Sequence, residues 1–223
     1  VNPSAQVNDT TNYNTILCDG EFTPVFSFST SNNDGLSTFN WTNDNVEIGL
    51  ADSGVGGIPS FQVSNPNQSS ITATITVTPI YENNGIICDG DSETFTIVVN
   101  PSPVMDNVDD IVLCNNENSS LIEFTTINTD GITSYSWTNN NTTIGLTSNG
   151  NGDIPSFTAI NNGVITETAT ITVTPTYDNN GIICVGSSQT FSISVLSDIE
   201  ITGTSIDALD CADPNSGNIN ITV

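Results

Sequence analysis

The chain contains no lysine, arginine or histidine among its 223 residues, whereas it contains 25 aspartates and glutamates. The absence of imidazole excludes Ser-His-Asp and Cys-His catalytic machinery. The absence of cationic side chains excludes a Schiff-base lysine, a phosphate clamp and a basic surface for nucleic acid. A net charge of -25 also repels nucleic acids and anionic lipid surfaces. We therefore predict that the protein is not an enzyme and binds no nucleic acid.

Long hydrophobic runs and helical periodicity are absent as well. No apolar run approaches the ~20 residues that cross a bilayer, so we predict no direct membrane insertion. No segment sustains an apolar period of 3.6 residues, which predicts almost no helix. The abundant residues are Thr, Ser, Asn, Gly, Ile and Val, a mixture typical of short strands joined by many turns.

A long internal repeat organises the chain. Ala73, in the segment Thr72-Ala73-Thr74-Ile75-Thr76-Val77-Thr78-Pro79, returns as Ala169 at an offset of 96 residues, and the same offset relates Trp41 to Trp137. A fixed period of this length indicates tandem copies of one domain rather than a short-period solenoid. We predict one repeat over residues 1–101, a second over 102–197, and the start of a divergent third unit over 198–223.

Each copy of the repeat reads as about seven short strands. The 71–79 segment alternates aliphatic residues with threonines, which predicts one face in a core and one towards water. Phe22, Phe26 and Phe28 recur at period two and predict a further strand with one aromatic face. Trp41 and Trp137 lie in mid-strand, where a core position is favoured over a sugar-stacking platform. The predicted fold class is all-β, with tandem immunoglobulin-like sandwiches.

The five cysteines follow the repeat. Cys18 and Cys88 fall in the first copy, Cys114 and Cys184 in the second, and Cys211 in the third unit. One pair per copy is typical of an intradomain disulfide in an oxidising compartment. We therefore predict the bonds Cys18–Cys88 and Cys114–Cys184, in preference to buried free thiols or to a metal site without partner ligands. Cys211 is expected to be unpaired within this sequence.

Three aspartates are the candidates for a metal site. Asp106, Asp109 and Asp110 follow the proline-containing linker 100–103, and a site limited to carboxylates, carbonyls and thiolates favours calcium. The cluster is not repeated 96 residues earlier, and the chain has no Asp-x-Asp-x-Asp-Gly loop. We therefore favour a solvated acidic face over a calcium site, and we predict no other cofactor.

The repeat also carries a recognisable string of motifs. Each copy runs Trp-Thr-Asn-(Asn/Asp)-Asn, Ile-Gly-Leu, a glycine-rich loop, Ile-Pro-Ser-Phe, Thr-Ala-Thr-Ile-Thr-Val-Thr-Pro, Cys and Thr-Phe-(Thr/Ser)-Ile-x-Val, over 41–99 and 137–195. This string resembles the PKD-like repeats of very large surface proteins of Bacteroidetes. Residues 211–223 resemble the start of the repeat named after the gliding-motility adhesin SprB.

The resemblance implies a place at the outer cell surface. It implies export by the type IX secretion system, display as a long filament, and a role in gliding motility or surface attachment. The expected partners are neighbouring repeats of the same chain, and surface glycans or a substratum. Two alternatives remain open: a carbohydrate-binding accessory module of a secreted protein, and a self-polymerising filament subunit in which a strand from the next chain completes the third unit.

Overall fold

The computed structural model describes residues 3–33, 35–198, 203–206 and 219–222, the last two segments by their backbone only. The first copy of the repeat contains six strands: β1 (Thr15–Cys18), β2 (Leu36–Asn43), β3 (Ser53–Val55), β4 (Ile71–Asn83), β5 (Ile86–Asp89) and β6 (Glu93–Asn100). The second contains β7 (Ile111–Cys114), β8 (Ile132–Asn139), β9 (Asn149–Asn151), β10 (Glu167–Asn179), β11 (Ile182–Val185) and β12 (Gln189–Leu196). Every strand of the second copy begins 96 residues after its counterpart.

Helical structure is confined to short turns in the described part of the chain. Three 3₁₀ segments of three residues occur, at Thr11–Tyr13, Val46–Ile48 and Thr142–Ile144. Among the described residues, no helix has the length and apolar character to cross a membrane.

The two sheets have the same strand order. The first runs β1-β6-β4-β2-β3 with β5 paired to β4, and the second runs β7-β12-β10-β8-β9 with β11 paired to β10. β1 lies parallel to β6 and β7 lies parallel to β12, whereas the other registered pairs in the two sheets are antiparallel. Each sheet is therefore mixed, closed on one edge by a short parallel strand.

A second layer covers the first sheet. Isolated bridges join Phe22 to Gln62 and Phe26 to Ile58, so two extended segments run side by side outside the six-stranded sheet. Phe26 and Ile58 are fully buried in one hydrophobic cluster with strand residues such as Ile75. Because the sheet and the bridged segments share this core, the arrangement is a two-layer sandwich. The predicted fold class, all-β with immunoglobulin-like sandwiches, is confirmed.

The alternation predicted for the 71–79 segment occurs in β4. Ala73, Ile75 and Val77 have no exposed surface, whereas Thr72 is exposed and Thr74 is half-buried. The predicted face of three phenylalanines is wrong, because Phe22 is 65% exposed while Phe26 is buried. Pro24 lies between them and lacks the N–H that a regular ladder needs, so the segment makes isolated bridges instead of a strand.

The tryptophans lie over glycines of the neighbouring strand. Trp41 pairs with Gly54, and a methyl group at Gly54 would lie 2.2 Å from the indole ring. A methyl group at Gly150 would lie 2.3 Å from the ring of Trp137. The glycine-rich segment after each tryptophan strand therefore supplies a flat surface on which the indole packs.

The chain folds as two compact units. The first comprises Val1–Asn107, Phe124–Ser136 and Thr174–Ser188, and the second comprises Val108–Glu123, Trp137–Val173 and Gln189–Val223. These units do not follow the order of the repeats along the chain, so the predicted boundaries after residues 101 and 197 stay predictions. In the predicted third unit, β13 (Gly203–Ile206) and β14 (Ile219–Thr222) form an antiparallel pair. Cys211 lies outside the described residues.

Candidate functional site

A disulfide bond joins the two copies of the repeat. It links Cys18, the last residue of β1, to Cys184 in β11, with a Cα–Cα distance of 5.6 Å and a sequence separation of 166 residues. Both cysteines belong to the first compact unit. Cys88 and Cys114 are the free cysteines of the described part of the chain.

The predicted bonds Cys18–Cys88 and Cys114–Cys184 are therefore wrong, and the strand registers give the reason. Cys18 lies beside Asn100, next to the Ile71 end of β4, whereas Cys88 lies opposite Tyr81 near the other end. Ten strand residues separate Ile71 from Tyr81, about 33 Å at about 3.3 Å per residue. A disulfide needs Cα atoms within about 7 Å.

The same separation applies to the second predicted bond. Cys114 lies beside Leu196 next to the Glu167 end of β10, and Cys184 lies opposite Tyr177 near its other end. Each copy thus carries one cysteine at each end of its long strand. Only a cysteine on another copy can reach either of them.

A polar cluster accompanies the disulfide in the same compact unit; we call its five residues the junction cluster: Ser70, Asn100, Asp130, Tyr177 and Asn179. The backbone N–H of Ser70 donates to both carboxylate oxygens of Asp130, at 3.1 and 2.9 Å. The Ser70 hydroxyl donates to Asn100 Oδ1 at 2.8 Å and accepts from Asn179 Nδ2 at 2.7 Å. Tyr177 donates its phenolic hydrogen to Asp130.

These contacts connect the copies through backbone as well as side chains. Ser70 immediately precedes β4 of the first copy, whereas Asp130, Tyr177 and Asn179 belong to the second. Beside them, the backbone N–H of Thr129 donates to the carbonyl of Gln68 at 3.0 Å. The loop before β4 is therefore held by hydrogen bonds from two segments of the following copy.

The electrostatics of the cluster favour an ionised aspartate beside a neutral phenol. Partial burial raises the pKa of Asp130, but the hydrogen bonds from Tyr177 and from the Ser70 backbone outweigh it, so the pKa lies below its ordinary value. Burial raises the pKa of Tyr177, and its hydrogen bond to Asp130 raises it further. The cluster thus keeps one negative charge and uses it as a hydrogen-bond acceptor.

The calcium candidates serve other contacts. Asp106 Oδ2 accepts the Thr125 hydroxyl at 2.5 Å, and Asp110 Oδ1 accepts the backbone N–H of Ser192 at 2.7 Å. The bond from Ser192 lowers the pKa of Asp110. Asp109 is exposed. No group of three or more potential metal-ligating side chains occurs in the described part of the chain, so these three aspartates are not brought together as a site.

The tryptophans are core residues in the structure. Trp41 is 7% exposed and Trp137 is 3% exposed, so neither presents a ring face to a ligand. The sequence prediction placed them correctly but missed the junction cluster. The available signal was a difference between the copies, since Ser70 and Asn100 are replaced by Thr166 and Leu196 at the offset of 96.

No family model and no curated protein matches the chain. Among solved structures, it resembles domains EC1-2 of human protocadherin-24, with 14% identity, 89% of this chain and 100% of that chain covered, and a TM-score of 0.45. It also resembles immunoglobulin domains 1–5 of Sidekick-1, with 10% identity, 93% and 42% coverage, and a TM-score of 0.28. Domains 1–6 of the surface layer protein SbsC give 15% identity, 83% and 24% coverage, and a TM-score of 0.27. At these TM-scores the likeness carries no argument about function.

Proposed function

We propose that the chain is a non-catalytic structural segment of an extracellular, adhesion-type repeat protein. The observation that carries the proposal is the Cys18–Cys184 disulfide, which ties one copy of a tandem repeat to the next. A bond placed between copies limits how far the chain extends under tension. That is the property required of a stalk that holds an adhesive end away from a surface.

The mechanical consequence follows from the position of the bond. Tension applied to the two ends of the chain crosses from Cys18 to Cys184, so the chain between them, a sequence separation of 166, is bypassed. Released and fully extended, that segment would add about 55–60 nm of chain at about 3.3–3.6 Å per residue. The parts of both predicted repeats that lie between Cys18 and Cys184 would therefore be protected from stretching while the bond is intact, whereas β12 lies outside the bypassed segment.

The chemistry of the chain supports an extracellular place. Disulfides persist in oxidising compartments and are rare in the cytosol. A net charge of -25 with no cationic side chain repels neighbouring copies at low ionic strength, which suits filaments that must stay separate. The finer assignment rests on the sequence resemblance: export by the type IX system, display at the outer cell surface, and a role in gliding motility or attachment.

Force spectroscopy on the oxidised and reduced chain tests the mechanical role. We expect reduction to add a releasable length of about 55–60 nm, because the whole 18–184 segment becomes accessible. The Cys88→Ser/Cys114→Ser variant is the matched control and should behave like the unmodified chain. Bonds within each copy would instead make reduction add two separate lengths of about 25 nm, and that result would refute the mechanism.

Surface labelling tests the location independently. An antibody raised against the folded chain should label intact cells of the source organism without permeabilisation. Labelling only after permeabilisation would contradict an extracellular role while leaving the disulfide arrangement untouched.

A further inference from the structure

The two free cysteines occupy the same positions in their copies as the two bonded ones. Cys114 is the 96-residue counterpart of Cys18, and Cys88 is the counterpart of Cys184. The bonded pair thus joins one end of a copy to the opposite end of another. The free pair consists of the two ends that remain, one of each kind.

The local backbone structure around Cys114 matches that around its bonded counterpart, Cys18. The backbone N–H of Cys18 donates to Glu21 Oε2 at 2.8 Å, and that of Cys114 donates to Glu117 Oε2 at 2.7 Å. The backbone at Cys114, the last residue of β7, therefore makes the same local hydrogen bond as the backbone at Cys18, the last residue of β1.

The other kind of end is matched in the same way. Cys184 of β11 lies opposite Tyr177 of β10, and Cys88 of β5 lies opposite Tyr81 of β4. In each copy the end of the long strand and the short strand after it form a β-hairpin. Both hairpins turn through an Asn-Gly pair with positive φ: Asn84 at 51° and Gly85 at 77°, and Asn180 at 54° and Gly181 at 79°. Cys88 therefore occupies the same position on the hairpin of the first copy as Cys184 occupies on the hairpin of the second copy.

The surfaces beside the free cysteines are apolar and uncovered. β1 contacts β11 around the bonded pair, and there Ile16 and Ile182 are half-buried. Their counterparts beside the free cysteines, Val112 and Ile86, are 62% and 59% exposed. A partner that covered them as β1 and β11 cover each other would remove apolar surface from water.

We propose that Cys88 and Cys114 are the two halves of a further disulfide between copies of this repeat, so that molecules of this chain join head to tail through Cys88 of one and Cys114 of another. The bond forms between the two Sγ atoms as the thiols together lose two protons and two electrons. A low-molecular-weight disulfide accepts the two protons and the two electrons and leaves as two thiols. The proposal does not depend on a role at the cell surface. It rests on the local backbone structure that the free cysteines share with the bonded ones, and on the exposed apolar residues beside Cys88 and Cys114.

The test mixes two variants that each keep one free cysteine. All proteins carry Cys211→Ser; one adds Cys88→Ser and retains Cys114, and the other adds Cys114→Ser and retains Cys88. Each is incubated alone and with the other in oxidised glutathione, and dimers are separated without reduction. Because the chain has no trypsin sites, linked peptides are mapped by mass spectrometry after cleavage at Asp and Glu.

We expect the mixed dimer to exceed each homodimer by about tenfold, which is about fivefold more than random pairing gives and corresponds to a preference of about 1 kcal/mol for the complementary ends. The linked peptide should contain Cys88 and Cys114, and denaturation in urea should remove the preference. Mixed dimers at no more than twice the yield of each homodimer would indicate random collision and overturn the proposal. So would the absence of mixed dimers.

Discussion

Removing the disulfide between the copies should destabilise the chain strongly, whereas removing the two free thiols should not. The perturbation is the double variant Cys18→Ser/Cys184→Ser, which deletes a bond closing a 166-residue loop. In the chain-entropy model the lost constraint on the unfolded chain amounts to about 5 kcal/mol at 25 °C. With a urea m-value of about 2 kcal/mol/M, the unfolding midpoint should fall by about 2–3 M.

The matched control is Cys88→Ser/Cys114→Ser, which also removes two thiols but no bond. Its midpoint should agree with that of the unmodified chain. Tryptophan fluorescence during equilibrium unfolding in urea reports each copy, because Trp41 and Trp137 are both buried. If the bonds ran within each copy, both double variants would break both bonds and lose similar stability. Equal midpoints for the two variants would therefore contradict the Cys18–Cys184 pairing.

Three further predictions follow from the junction and the cores. Asp130→Asn should lower the melting temperature near neutral pH. Because the pKa of Asp130 is lowered in the fold, the difference in melting temperature between the variant and the unmodified chain should persist above about pH 4 and shrink as the pH falls through the folded pKa. A difference that stays constant from pH 3 to 7 would contradict the role of the charge. Tyr177→Phe removes the hydroxyl that donates to Asp130 and should lower the free energy of unfolding, measured by chemical denaturation, by about 1 kcal/mol. An unchanged unfolding midpoint would contradict this prediction. Gly54→Ala pushes a methyl group into the Trp41 ring and should cost about 1–3 kcal/mol, whereas Ser53→Ala on the same strand should cost little; equal effects would show that the indole does not need the glycine.

The strands and the repeat could be predicted because their signals are local. The alternation of aliphatic residues with threonine around Ile75 is set by the two-residue period of a strand, and burial of one face follows from it. The offset of 96 residues recurs in the strands because equal sequences meet equal local constraints. Phe22 departs from this pattern because Pro24 interrupts the ladder.

The disulfide pairing could not be predicted from the spacing of the cysteines. Two cysteines per copy are expected if they bond to each other, and equally if each of them bonds to a cysteine of a different neighbouring copy. The repeat offset is the same in both cases. The deciding fact is that β6 and β5 pair with opposite ends of β4, which places Cys18 and Cys88 far apart. That is a property of the assembled sheet and not of any segment.

The junction cluster escaped prediction for a related reason. Tyr177 has a counterpart in Tyr81, but the Tyr81 hydroxyl donates to the backbone carbonyl of Asn33 at 2.7 Å, whereas the Tyr177 hydroxyl donates to the carboxylate of Asp130. Both acceptors lie in the same copy as their tyrosine, but Asp130 also accepts the backbone N–H of Ser70 from the first copy. The cluster therefore depends on contact with the preceding copy, which no signal within one copy of the repeat reports.

Peptide mapping of the unreduced chain shows directly whether Cys18 is bonded to Cys184. Cleavage at Asp and Glu separates the four described cysteines into different peptides, covering 10–19, 83–89, 111–117 and 179–198. We expect a linked species that joins the Cys18 peptide to the Cys184 peptide and disappears on reduction, with Cys88 and Cys114 alkylated in the monomer. Linked species joining Cys18 to Cys88 and Cys114 to Cys184 would contradict the bond between the copies.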